Sequence, residues 1–103
     1  MPRIRSILFL MDNAALLKLL RHDLQRTGTL SGDDDYLTHL LHAAKSSLER
    51  QGILPEDSED YGQTVIGTAA WLYRKRITGE AEPQYLRRMR LDLIVSQKAR
   101  GDG

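Results

Sequence analysis

Leucine recurs every three or four residues near the start of the chain. Leu16, Leu17, Leu20 and Leu24 fall on one face of a helix. Asp12 or Asn13 can cap its start and Gly28 suits its stop, which predicts a helix over residues 12–27. A second stripe, Leu37, Leu40, Leu41, Ala44 and Leu48, predicts a helix over 34–51. Ser31-Gly32-Asp33-Asp34-Asp35 supplies capping oxygens and puts negative charge at the positive end of that helix dipole. Gly52 and then Pro55 end it.

The third segment, residues 60–77, starts acidic at Ser58-Glu59-Asp60 and ends basic at Arg74-Lys75-Arg76, with Gly79 as its stop. Val65, Ile66, Ala69, Ala70, Leu72, Tyr73 and Ile77 spread over roughly half its circumference. An arc that wide belongs to a central helix. Gly62, Gly67, Ala69 and Ala70 would let neighbouring helices come close. The fourth segment starts at Glu82-Pro83, with Pro at the first helical position, and runs to about Gln97. Leu86, Met89 and Leu93 make one stripe, and Leu91, Ile94 and Val95 make a second, offset patch. The run LDLIV at 91–95 could also form a short strand. A helix is expected, because the neighbouring segments are helical.

These elements predict an all-α fold: a small bundle of about four helices with a central third helix and a C-terminal docking segment. The expected organisation is a flexible extension over 1–11, one helical domain over 12–98 and a disordered tail over 99–103.

Composition narrows the chemistry. Aromatic residues are 6% of the chain, so the core must be built mainly from Leu, Ile and Ala. There is no Cys, which excludes disulfides and thiolate metal sites. The apolar run ILFLM at 7–11 is too short for a membrane span or a signal peptide. The expectation is a soluble intracellular protein with no membrane partner. Net charge is +1, but its distribution is uneven. Residues 1–30 carry net +3, residues 31–62 net −6 and residues 63–103 net +4. Such a chain can bind an acidic partner or copies of itself head to tail, unless the charges simply lie on mixed solvated faces.

Candidate catalytic and metal-binding groups are sparse. The adjacent Asp33, Asp34 and Asp35 lack the alternating oxygens and terminal Glu of a calcium loop, and read better as a helix cap. Asp35, His39 and His42 share a helix face at i, i+4 and i+7, a spacing that can meet one metal. That face lies opposite the Leu stripe, among Thr38 and Ser46, which favours solvated polar residues over a metal-dependent enzyme. No GxSxG turn and no glycine-rich phosphate loop occurs. The expectation is a protein that is not an enzyme and has no cofactor. Arg74, Lys75, Arg76, Arg87, Arg88 and Arg90 would suit phosphates if they formed one surface, but no helix-turn-helix pattern accompanies them.

Trp71 is the more informative residue. At about 100° per residue it projects away from the centre of the Val65–Ala69–Tyr73 arc, towards Thr64, Gly67, Thr68 and Lys75. A Trp there is either packed under another segment or covered by a partner. Trp and Arg are enriched at interface hot spots, which makes Trp71, Arg74 and Lys75 candidate subunit-interface residues.

Three stretches together carry a resemblance: DDDYLTHLLHAAKSSLERQGI at 33–53, AAWLYRKR at 69–76 and PQYLRRMRLDLIVSQKAR at 83–100. Their order and spacing over residues 11–98 resemble the head–tail connector (adaptor) proteins of tailed phages and prophages, a family often described as phage DNA-packaging proteins. Leu72, Tyr73 and Arg76 match the family's LY-x-x-R-like helix end. Pro83, Leu86, Arg87, Arg90 and Leu91 match its Arg-containing C-terminal segment, and Ser96-Gln97-Lys98 its ending. The ten residues before Met11 have no counterpart in it.

The resemblance implies a non-catalytic helical subunit that assembles into a ring between portal and tail. DNA would pass through the channel without sequence-specific binding. It implies three partners: sister subunits, the portal protein and a tail-completion protein. It implies assembly in the host cytoplasm and a final place in the virion neck. It makes Arg87, Arg90, Leu91, Ile94 and Val95 the portal-facing candidates. The alternative reading is a small helical nucleic-acid-binding regulator, which needs the six basic residues in one contiguous patch.

Overall fold

A computed structural model of the chain describes residues 13–26, 33–56 and 58–101. The expected extension over 1–11 lies outside these residues, as do Gly28 and Gly32. Four helices run in succession: α1 (Asn13–Arg26), α2 (Asp34–Arg50), α3 (Glu59–Thr78) and α4 (Gln84–Ala99). No strand occurs among the described residues, and the 91–95 run is helical. The fold is a small all-α bundle.

The ends of the helices follow their capping chemistry. Asp33 accepts a hydrogen bond from the Tyr36 N–H at 2.8 Å and starts α2, and Ser58 accepts one from the Tyr61 N–H at 3.0 Å and starts α3. Gly52 has φ +88°; its N–H donates to the Glu49 carbonyl, and the Ile53 N–H to that of Leu48. This paired closure buries Ile53 and turns the chain back towards α3. Gly79 ends α3 at φ +71°, its N–H donating to the Lys75 carbonyl at 2.7 Å. Pro83 sits one position earlier than expected. It is the extended residue before α4 and has no side-chain cap to offer.

The core is aliphatic. Leu16, Leu20 and Leu24 of α1 meet Leu37, Leu40, Leu41, Ala44 and Leu48 of α2. Tyr61, Val65, Ile66, Ala69, Ala70 and Tyr73 of α3 complete it. α3 packs against each of the other three helices, the central role its wide apolar arc predicts. α4 leans chiefly on α3, burying Leu86, Leu93 and Gln97. Gly67 permits this approach: a Cβ there would lie 2.7 Å from Leu86 Cδ2.

Two expectations need correction. Ile77 is 63% exposed rather than part of the α3 core face. Tyr73, one turn earlier, already packs on Tyr36 in the first turn of α2, so the last turn of α3 runs past its neighbour. Of the tail expected over 99–103, residues 102 and 103 lie outside the described residues, and the earlier ones are ordered. α4 reaches Ala99, and Arg100 is ion-paired to Glu56, which holds that end against the α2–α3 loop.

Candidate functional site

The turn between α3 and α4 collects most of the basic and aromatic residues singled out in the sequence. The Trp71 indole N–H donates to the Glu80 carbonyl at 3.2 Å, and the Lys75 ammonium lies 5.0 Å from the indole centroid. Arg74 Nε sits 3.5 Å from a Glu80 carboxylate oxygen. The Arg76 guanidinium stacks 5.4 Å from the Tyr36 ring and donates to its hydroxyl at 3.3 Å. Arg90 is ion-paired with Glu82, and both side chains are largely buried.

This changes the reading of Trp71, Arg74 and Lys75 as a subunit interface. The indole is half-buried and its one polar atom is satisfied within the chain. The three residues fasten the turn that carries the chain from α3 into α4.

The portal-facing set divides by face. Leu86, Leu93 and Gln97 mark the inner side of α4. Ile94 is partly buried against the core, and Arg90 is ion-paired with Glu82. Leu91 and Val95 lie on the opposite side, 57% and 67% exposed. Arg87, Arg88 and Lys98 surround them and are exposed, as is Asp92. At about 100° per residue, Arg88, Leu91, Val95 and Lys98 share one outward stripe. The outer face of α4 is therefore an apolar pair in a basic frame.

A polar clasp locks the far end of α4, and sequence reasoning missed it. The Gln97 side-chain amide accepts from the Leu54 N–H at 3.0 Å and donates to the Leu54 carbonyl at 2.7 Å. It also donates to Glu56 Oε1 at 2.9 Å, where Arg100 also donates. Burial raises the Glu56 pKa, but hydrogen bonds from Ser58, Gln97 and Arg100, with the Arg100 charge, outweigh it and leave the carboxyl below its ordinary value of 4.5. The one advance signal was a Gln on the same helical side as Leu86 and Leu93. Only the position of the α2–α3 loop gives it partners.

An open cleft of about 190 Å³ adjoins the clasp, lined by Asp60, Thr64, Met89, Asp92 and Ser96 among others. A second, of about 180 Å³, lies between α1 and α3 beside Leu19, His22 and Gln63. Asp35, His39 and His42 are all exposed on α2. Among the described residues no three His, Asp or Glu groups stand close enough to hold a metal ion. No described helix is long and apolar enough to cross a membrane.

No protein-family model matches this chain, and no curated protein or solved structure matches it significantly.

Proposed function

We propose that this chain is an assembly subunit of the phage head–tail connector (adaptor) type, which acts by binding proteins and not by catalysis. The observation that carries the proposal is the outer face of α4. It presents Leu91 and Val95 to solvent inside a ring of Arg87, Arg88 and Lys98. Exposed apolar side chains rimmed by charge are the anatomy of an interaction surface. The resemblance supplies the context: a ring of copies joining the portal to the tail in the virion neck, with DNA passing through its channel. On this reading the Arg87–Leu91–Val95 side of α4 meets the portal, and other surfaces meet sister subunits and a tail-completion protein.

The nucleic-acid regulator is the weaker reading. It needs six basic residues to act together, but Arg74 and Arg90 are neutralised by Glu80 and Glu82, and Arg76 is stacked on Tyr36.

The test is co-sedimentation of the purified chain with the portal protein from the same genome, with electron microscopy of any rings. Leu91→Asp with Val95→Asp should abolish portal association and leave the helical circular-dichroism spectrum unchanged. A wild-type chain that neither joins the portal nor forms rings would end the proposal.

A further inference from the structure

α4 is held to the molecule differently from the other helices. α1, α2 and α3 each pack on the other two, whereas α4 leans chiefly on α3. It gives the shared core Leu93, with Ile94 partly buried beside it. Leu86 is buried apart from that core, over Gly67. The hold at its far end is polar: Gln97 grips the Leu54 N–H and carbonyl, and Gln97 and Arg100 both reach Glu56. Beside that clasp the seam between α3 and α4 is open. The cleft of about 190 Å³ enters it, with Asp60 and Thr64 on the α3 side and Met89, Asp92 and Ser96 on the α4 side. Asp60 and Asp92 bring like charge to its two walls. The turn between the helices divides at one residue. Glu80 belongs with α3: its carbonyl accepts from the Trp71 indole, and its carboxylate is held by Arg74 and Thr78. Glu82 belongs with α4 through its ion pair with Arg90. Pro83 has its φ fixed by its ring. Ala81 is exposed between the two glutamates, and among the described residues no hydrogen bond ties it to either helix.

We infer that α4 swings away from α3 as one arm, turning at Ala81, while α1, α2 and α3 stay folded. Leu86 and Leu93 draw the arm closed, and Gln97 and Arg100 latch it on Leu54 and Glu56. Hydrogen bonds suit a latch: on opening, water replaces each lost partner, whereas an uncovered leucine gains nothing in return. A helix with few buried apolar contacts and one main neighbour is the kind of unit that opens below the global unfolding free energy. α4 has 16 residues and is roughly 24 Å long, so a small rotation at Ala81 carries the Gln97 end several ångströms. The exposed Leu91 and Val95 ride on the arm, and the swing re-aims them without altering the face they form. The inference does not depend on what that face binds.

Native-state hydrogen exchange on the intact chain, read amide by amide, tests it. The α4 amides should exchange as one group, with protection at least about tenfold lower than the buried turns of α2 and α3. Leu20→Ala removes an α1 core contact that the open arm leaves intact. It should lower protection in α2 and α3 and leave that of α4 unchanged; Leu20→Val serves the same purpose if the first variant does not fold. Gln97→Leu removes the latch and should speed α4 exchange about tenfold. Ala81→Gly frees the hinge backbone and should speed it roughly two- to fivefold, with the circular-dichroism spectrum unchanged. Three results would each overturn the inference: α4 protection equal to that of α2 and α3, a steady gradient inward from Ala99 in place of one group, or α4 exchange that rises with the Leu20 variant as much as the rest. An α4 rate untouched by Ala81→Gly would overturn the hinge.

Discussion

Trp71 shows how one side chain can change its meaning once its neighbours are known. Helical geometry alone places it off the core arc, yet the Glu80 carbonyl is waiting for its indole N–H. Trp71→Phe keeps the ring and loses the hydrogen bond, so it should cost about 0.5–1.5 kcal/mol in urea denaturation. If stability is unchanged, the indole does not hold the turn. Tyr61 presents the opposite case. Its ring is fully buried, and its hydroxyl has no hydrogen-bond partner among the described residues. Burial, with the Glu49 and Glu56 charges, pushes its pKa up to about 12. A desolvated, unpaired hydroxyl costs stability, so Tyr61→Phe should be neutral or stabilising by about 1 kcal/mol in the same assay. A loss of more than about 1 kcal/mol would mean that the hydroxyl has a partner after all.

At the scale of elements, the helices were legible from pattern and their attachments were not. The α1 and α2 stripes were read residue by residue, because a 3.6-residue period needs nothing beyond local sequence. The attachment of α4 depends on Gln97, a polar residue that ordinary reading leaves on the surface. Gln97→Leu should cost about 1–3 kcal/mol, since it removes the partners of the Leu54 N–H and carbonyl. Glu56 adds a pH dependence. Its folded pKa lies below its unfolded value, so its stabilisation is complete above pH 4.5 and is lost as pH falls through the folded value. Glu56→Gln should therefore flatten the acid limb of a stability–pH profile, measured by urea unfolding between neutral and acid pH. An acid limb as steep as that of wild type would place the effect on other carboxylates.

For the molecule as a whole, the basic C-terminal third does not act as one charge. Arg74, Arg76 and Arg90 are committed to Glu80, Tyr36 and Glu82, which leaves Lys75 exposed beside Trp71 and Arg87, Arg88 and Lys98 facing outward on α4. The isolated chain should bind duplex DNA only non-specifically, with Kd in the range of about 10⁻⁴–10⁻⁶ M near physiological salt. The slope of log K against log salt in fluorescence anisotropy should be no steeper than about −4. A slope near −6 would show the six cations acting together and revive the regulator reading. The candidate interaction surface was only half readable in the sequence. Arg87, Leu91 and Val95 do face outward, but Arg90 and Ile94, one step round the same helix, turn towards the body.

The sequence by itself determined four helices, the caps of α2 and α3, most of the apolar faces and the central place of α3. These follow from periodicity, side-chain oxygens at helix starts and glycines at helix ends, all within a few residues of one another. Tertiary structure alone decided which side of α4 is free, what covers Trp71, where Gln97 bonds and how many cations remain unspent. Each of those depends on a partner at least six residues away in the chain, across a turn or in a separate loop, and no local period encodes such a pairing.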